Sequence, residues 1–457
     1  MNKTFFFSSI IILLFGFGAK SQAKKWTIQE CVSYALEHNI SIQQAVLDND
    51  LTSIDKNSAL GSFLPSINAD ASHSWNVGLN QNITTGLLQN KTTQFTAAGL
   101  NTGIDLYKGL QNQNKLRRAN LRILAGQYNL DKMKDDISLY VANAFLQILF
   151  DKENIKVVKE QLLISEKQLN RTEELVAAGS IARGDLLDIK ATVASNKQKV
   201  VSAENAFILS KLSLVQLLQL DDFENFDIAD IEYKIDQSET MLLSPEAIFA
   251  KAKEQRVEIK IAQSNLQIAQ KDIQIARGAF QPTLQGFYRF NSRISYADVP
   301  IFDSSGKFSG FKGPNPFFNQ FSDNKGHNFG MQLSIPILNG FSIRNNVERS
   351  KVNFEKSKIA LNQSELDLER NVYKAFTDAK GALNAYESAN LALDARREAF
   401  DYVTEKLAVG IMNSFDFNQA QTLFSNSQSE VLRTKYDYIF KVKVLELYFG
   451  IPIIQKK

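Results

Sequence analysis

Side chains able to do chemistry are few in this chain, and they stand apart. The three histidines, His38, His73 and His327, fall at a helix end, on a strand and in a loop, with no HExxH, CxxC or His–carboxylate spacing. The single cysteine, Cys31, excludes an intrachain disulfide and a multi-cysteine zinc site, and reads as a small core residue on a short helix. No GxxxxGK[ST] or GxSxG is present, and the glycine-rich stretch Gly306 to Gly313 lies in a long loop between strands rather than at a helix start, so it reads as surface loop. No cofactor, no metal and no enzyme activity are expected. What recurs is a turn: LVAAGSIARGDLLDI (Leu175 to Ile189) and LAVGIMNSFDFNQA (Leu407 to Ala420). In each, Gly179 or Gly410 supplies a left-handed residue that ends one helix, and Asp185 or Asp416 stands where an acid favours the start of the next. Arg183-Gly184-Asp185 spells an adhesion tripeptide, but the second turn does without it.

The elements that carry these turns are duplicated. Ala35/Ala252, Ile42/Ile259, Ala45/Ala262, Ala59/Ala276, Gly61/Gly278, Phe63/Phe280 and Pro65/Pro282 all stand 217 positions apart. Gly109/Gly340, Arg118/Arg349, Val141/Val372, Ala144/Ala375, Gly179/Gly410 and Asp185/Asp416 are 231 apart, and the 14-residue difference falls in the loop from Ile294 to Gly326. Such a unit is far longer than solenoid repeats.

Pro65 and Pro282 mark helix–strand junctions, because proline fixes φ, lacks an N–H and pushes the preceding residue out of the helical region. After Pro282, Leu284, Gly286, Tyr288 and Phe290 alternate with Thr283, Gln285, Phe287, Arg289 and Asn291. After Pro65, Ile67, Ala69, Ala71, Trp75 and Val77 alternate with Asn68, Asp70, Ser72, Ser74 and Asn76. Returning strands follow, with Ala98, Leu100, Ile104 and Leu106 on one face in the first copy, and Phe329, Met331, Leu333, Ile335 and Ile337 opposing Asn328, Gly330, Gln332 and Ser334 in the second. Four strands of about ten residues with one apolar and one polar face fit a transmembrane barrel, and equally a soluble sheet with one buried face. Four cannot close a barrel, so a membrane reading requires an oligomer, and a trimer gives twelve strands.

The rest is long helix. From Gln111 to Glu174 there is no proline, a run on the order of 100 Å at 1.5 Å per residue. Ile137, Val141, Ala144, Ile148, Ile155, Val158, Leu162 and Leu169 follow 3-4 spacing, interrupted by Asp151 and Ser165, and a partner runs from Asp185 to Leu220. Val372, Phe376, Ala379, Leu383 and their successors repeat the pattern. The polar interruptions suggest a helical wall with one wet face. Residues Trp26 to His38 and Asn39 to Phe63 read as shorter helices.

With 44% hydrophobic and 22% charged residues and a net charge of +3, composition suits a folded protein and gives no footprint for nucleic acid. A basic Lys3, an apolar run from Phe5 to Phe17 and Ser21-Gln22-Ala23 read as a secretory signal peptide. Beyond it, no uninterrupted apolar run approaches a membrane-spanning helix. Sequons such as Asn82-Ile83-Thr84 carry little weight. The organisation expected is a signal peptide over 1–23, helices over 24–66, a β-hairpin over 67–106 and a helical hairpin over 107–220. A linker or equatorial region follows over 221–244, then a helix over 245–282, a second β-hairpin with a long loop over 283–338, a second helical hairpin over 339–449 and a tail over 450–457.

This order of elements, with glycine and aspartate at both hairpin tips, resembles the TolC-like outer membrane efflux proteins over nearly the whole mature chain. The resemblance implies a mainly α fold with a small β part, in which a homotrimer joins four strands per chain into a 12-stranded barrel in outer membrane lipid, continued by a long periplasmic α-barrel. It implies passage of drugs, toxic compounds or metal ions from an inner membrane pump of RND or ABC type through a periplasmic adaptor. It places Asp416 and Gln419, with Asp185 and Asp188, at the periplasmic entrance, where Gln419 departs from the family's second aspartate. Leu407 and Met412 replace the family's tyrosine and arginine lock. Gly179, Ser180, Gly410 and Ile411 become adaptor-contacting tips. A type I secretion conduit would use the same body, and a periplasmic coiled-coil scaffold would explain the helices without the strands.

Overall fold

A computed structural model describes residues 25–81, 88–231, 235 and 239–452. The expected signal peptide and the Asn82 sequon lie outside the described residues.

The duplication is visible in element lengths. Helices α1 (Ile28–His38) and α2 (Ile40–Gly61) have 11 and 22 residues, as do their second-copy counterparts α5 (Pro245–Gln255) and α6 (Val257–Gly278). The hairpin helices α3 (Gln111–Ala177) and α4 (Arg183–Leu218) have 67 and 36 residues, matched by α8 (Ser342–Ala408) and α9 (Ser414–Phe449). At the strand-to-helix turns, Gly109 and Leu110 have φ of +57° and +58°, and Gly340 and Phe341 +57° and +63°. Two bulky residues held in the left-handed region at matching places show that the turn geometry, not residue preference, is what was duplicated.

The chain forms two compact units, whose borders fall inside α2, α3, α5 and α8. The first takes in the described residues up to Gln43, Lys134–Ile248 and the chain from Val372. Thr27 caps α1 in a reciprocal capping box with Glu30, and α1 buries Cys31, Val32 and Ala35 completely. Trp26, expected to open that helix, instead belongs to strand β1 (Lys25–Trp26), which pairs in parallel with β6 (Asp227–Ile228) inside the segment expected as linker. Asp230 sits 2.8 Å from Lys25 and 2.7 Å from Lys152 of α3, and the two ammonium groups hold its carboxyl down to about 2. The apolar positions read at 3-4 spacing do bury: Ile137, Val141, Ile148 and Val158 of α3, and Val372 and Ala379 of α8. One reading is corrected. Asp151 and Ser165 face no water: they are 5% and 0% exposed, because hydrogen-bonding partners on neighbouring turns and helices replace water. Helix α4 carries an 18-residue window of mean hydropathy 1.2, long and apolar enough by composition to cross a membrane, although side chains such as Glu204 and Lys211 interrupt its apolar residues. Its Val193, Val200, Leu214 and Leu218 are buried, while Val201, Ile208 and Leu209 are exposed.

The second unit, Gln44–Met133 and Phe249–Asn371, holds the sheet. Strands β2 (Ser66–Asn76), β5 (Thr93–Lys108), β7 (Thr283–Ser295) and β10 (Gly326–Ser334) form one antiparallel sheet in the order β10-β7-β5-β2. Short hairpins decorate its far end: β3 (Leu79–Gln81) with β4 (Leu88–Asn90), and β8 (Val299–Phe302) with β9 (Phe308–Lys312). The 14-residue difference between copies is therefore structured, since β8, β9 and α7 (Phe317–Asp323) occupy the long loop. Where β10 stops opposite Asn291, α7 covers the exposed edge of β7. Asn324 donates to the Arg293 carbonyl at 2.7 Å, and Gln320 bonds the N–H and carbonyl of Ser295.

Candidate functional site

The register sets the two faces of the sheet. On one, Ile67, Thr102, Tyr288 and Phe329 form a row across all four strands, followed by Ala69, Leu100, Phe290 and His327. No Asp, Glu, Lys or Arg stands on this face, and its exposed apolar residues include Ile67, Trp75, Phe329, Met331 and Leu333. Its polar atoms pair with each other: His73 Nδ1 lies 2.8 Å from Thr96 Oγ1, and Tyr288 OH lies 2.9 Å from His327 Nδ1. The other face carries rows such as Asn68, Asn101, Arg289 and Asn328. Asp105 and Tyr107 flank a bulge, so Leu106 drops out of register and the alternation survives on both sides of it. Among the described residues, both edge strands, β2 and β10, lack a partner on one side. An isolated sheet with an apolar face uncovered and two open edges is incomplete in water and in lipid alike.

Pro65 and Pro282 each stand immediately before their strands, after identical 3-residue turns: Phe63 and Leu64 donate to Leu60 and Gly61, and Phe280 and Gln281 to Arg277 and Gly278. Beside the second junction, Gly109 lies so close to Gly278 that a Cβ on either would overlap the other's carbonyl oxygen. Tyr107 also donates to Gln281 there.

Both hairpin tips lie in the first unit and close by glycine. Gly179 (φ +72°) follows α3, and Ser180 N donates to the Leu175 carbonyl at 2.8 Å. Gly410 (φ +81°) follows α8, and Ile411 N donates to Lys406 at 3.1 Å. Gly179, Ser180, Gly410 and Ile411 are exposed. Asp185 and Asp416 fall in the first turns of α4 and α9, half-buried, while Asp188 and Gln419 are exposed one turn on. Among the described residues no ion pair joins any of these three carboxylates to a cation, and no hydrogen bond joins the Asp185 turn to the Asp416 turn. The geometry brings each acid to a tip without fusing the tips into one cluster.

Three features of this region were not read from the sequence. Asn413 caps α9, accepting from Asp416 N at 2.8 Å, and the signal for it was an Asn-Ser pair just before an apolar periodic run. Ala182, by contrast, gives α4 no side-chain cap. Arg171 of α3 reaches the terminal carbonyl of α8, donating to Ala408 O at 2.9 Å, where a cation also suits the helix dipole. The third feature is a buried polar layer. Gln421 of α9 donates to Gln161 O at 2.9 Å and to Ser165 Oγ at 3.0 Å, Asn196 of α4 donates to Ser165 Oγ at 2.7 Å, and Ser425 donates to Gln161 Oε1 at 2.8 Å. Long-range partners of this kind leave no local signature.

Long helical hairpins ending in acid-bearing glycine turns are joined in this chain to a four-stranded antiparallel sheet with one charge-free apolar face. The chain belongs to the outer membrane efflux protein family, whose model matches residues 31–219 and 248–450. It is 23% identical over 438 residues to the outer membrane protein TolC of Vibrio cholerae, covering 93% of this chain and 90% of that protein. It is 24% identical over 389 residues to the cation efflux system protein CusC of Escherichia coli O157:H7, covering 81% and 72%. The CmeC outer membrane channel of Campylobacter jejuni superposes with a TM-score of 0.76 at 17% identity over 94% of this chain and 87% of that one. This is an outer membrane efflux channel protein, mainly helical with a small β part.

Proposed function

We propose that three copies of this chain close one barrel, β10 of each pairing with β2 of the next, and that the trimer conducts small molecules out through the outer membrane. The observation that carries this reading is the sheet: four strands, one charge-free apolar face and two open edges. Internal symmetry supplies the missing pairing. Within one chain, β5 of the first copy pairs with β7 of the second; carrying β5 forward by 231 residues and β7 back by 217 lands on β10 and on β2 of a neighbour. Asn101↔Arg289 then becomes Gln332↔Ser72 between chains, and Ala98↔Ser292 becomes Phe329↔Trp75.

The long hairpins extend into the periplasm, receiving cargo from an inner membrane pump through an adaptor that contacts the tips at Gly179, Ser180, Gly410 and Ile411. Val409 and Phe415, 71% and 69% exposed beside the second tip, add apolar surface for that contact. Asp185, Asp188 and Asp416 surround the entrance, with the uncharged Gln419 one turn beyond Asp416. The cargo class extends to drugs, toxic compounds or metal ions, and cation export is what the CusC relative's name describes.

The experiment is to extract the complex from isolated outer membranes in detergent, weigh it and insert it into planar bilayers. A mass of three chains with stepwise conductance is expected, and Asp416→Ala should weaken cation preference. A soluble monomer would overturn the channel reading, and unchanged conductance and selectivity in Asp416→Ala would remove the entrance role.

A further inference from the structure

The polar face of the sheet carries five charged residues, Asp70, Asp105, Lys108, Arg289 and Arg293. The acids are engaged. Asp105 pairs with Lys108 at 2.7 Å and accepts from Gln285 at 2.8 Å, and Asp70 accepts from Asn101 at 2.6 Å. The two arginines have no carboxylate partner among the described residues. Each rests on an aromatic ring instead: the Arg293 guanidinium lies 3.8 Å from the centre of Phe95, and that of Arg289 5.1 Å from Phe287. A guanidinium held over a ring by its charge keeps N–H groups available for a bidentate bond to carboxylate, phosphate or sulfonate. Both side chains are exposed, and Arg289 lies in one row with Asn68, Asn101 and Asn328.

The fold does not require these charges. At the matching positions of the first copy, 217 residues earlier on β2, stand Ser72 and Asn76. Four residues apart on one strand, the arginines stand about 13 Å from each other along the wall.

Resting on the channel reading above, we infer that Arg289 and Arg293 form an anion-binding stretch of the barrel wall, which favours permeants bearing carboxylate, phosphate or sulfonate over cations in the outer membrane section. Three chains place six guanidiniums around the lumen, and the net charge of that face is +1 per chain once the acids are counted. The outer membrane section thus has the sign opposite to the acid-lined periplasmic tips, and the two sections act in series on one permeant.

The test uses the full-length channel in planar bilayers, with inorganic pyrophosphate added on the side facing the sheet's loops, so that the probe reaches the barrel without crossing the tips. Unmodified channels are expected to show block by millimolar pyrophosphate. Arg289→Gln/Arg293→Gln channels should lose that block about tenfold, and their potassium-to-chloride permeability ratio should rise about threefold under a salt gradient. Arg289→Lys/Arg293→Lys should keep the wild-type permeability ratio, because the charge remains. A Gln pair with unchanged block and permeability overturns the inference, as does a wild-type channel that pyrophosphate leaves untouched, a result that needs no variant to fold. Absence of any conductance in the wild type would instead overturn the channel reading beneath it.

Discussion

The register between chains can be tested to one residue. Symmetry places Gln332 of β10 opposite Ser72 of a neighbour's β2, with Cα atoms about 5 Å apart as in any antiparallel pair, inside the 4.4–6.8 Å range that a disulfide accepts. Ser74, two residues along, is displaced by a further 6.8 Å or so, which puts its Cα about 8 Å away and beyond bridging. Within one chain the same residues lie on opposite edges of the sheet, three strand spacings or about 14 Å apart, so any cross-link must join two chains. Both positions face the polar side, where an oxidant in water has access, and the one native thiol, Cys31, is buried and can be replaced by alanine. Gln332→Cys/Ser72→Cys channels oxidised in isolated membranes should run on non-reducing gels as dimers and closed trimers that reductant returns to monomers. Gln332→Cys/Ser74→Cys should stay monomeric. Equal cross-linking of the two pairs, or none in the first, would refute the carry-over of register from β5–β7 to β10–β2.

Gly61 matches Gly278, yet a Cβ built on it meets nothing within 4 Å in the single chain. If Gly61 receives a neighbour's Gly340 as Gly278 receives Gly109, Gly61→Ala should leave the isolated chain as stable or up to about 1 kcal/mol more stable, while trimer yield in native electrophoresis falls. Gln421→Leu removes one donor from Gln161 O and one from Ser165 Oγ in a dry layer, leaving the Ser165 and Asn196 bonds in place, and should cost about 1–2 kcal/mol in thermal or urea unfolding, whereas Ser165→Ala in the same chain should cost more still because it also orphans the Asn196 amide. Burial pushes the Asp151 carboxyl up against the hydrogen bonds of Ser210 and Gln147. Its ionised form is therefore disfavoured in the folded state, and the penalty grows as pH climbs from the unfolded value of about 4 through the raised folded one. Asp151→Asn should melt higher than wild type at pH 7, with the difference closing as pH falls to about 4.

Much of this architecture was written in period and spacing. Alternation of two fixed the strand faces from Thr283 to Asn291 because a strand turns its side chains about an axis with no reference to the rest of the molecule, and 3-4 spacing fixed the buried stripes of α3 and α8 for the same reason. Constant offsets of 217 and 231 exposed the duplication, and Gly179 and Gly410 announced their turns through the one residue type that accepts positive φ cheaply. What spacing could not supply was partnership. Ser165 and Asp151 read as wet because their residue types are polar, and only Asn196, Gln421 and Gln147, brought in by other turns and helices, make their burial tolerable. Leu110 and Phe341 adopt left-handed φ against their own preference, since the strand-to-helix corner overrides a local cost. The close approach of Gly109 to Gly278 joins residues 169 positions apart. The two arginines show the same division: alternation put Arg289 on the polar face, but that no carboxylate among the described residues pairs with it is a property of distances across strands. Local conformational preference sets elements and faces; which polar groups are satisfied depends on neighbours that only the folded chain assembles.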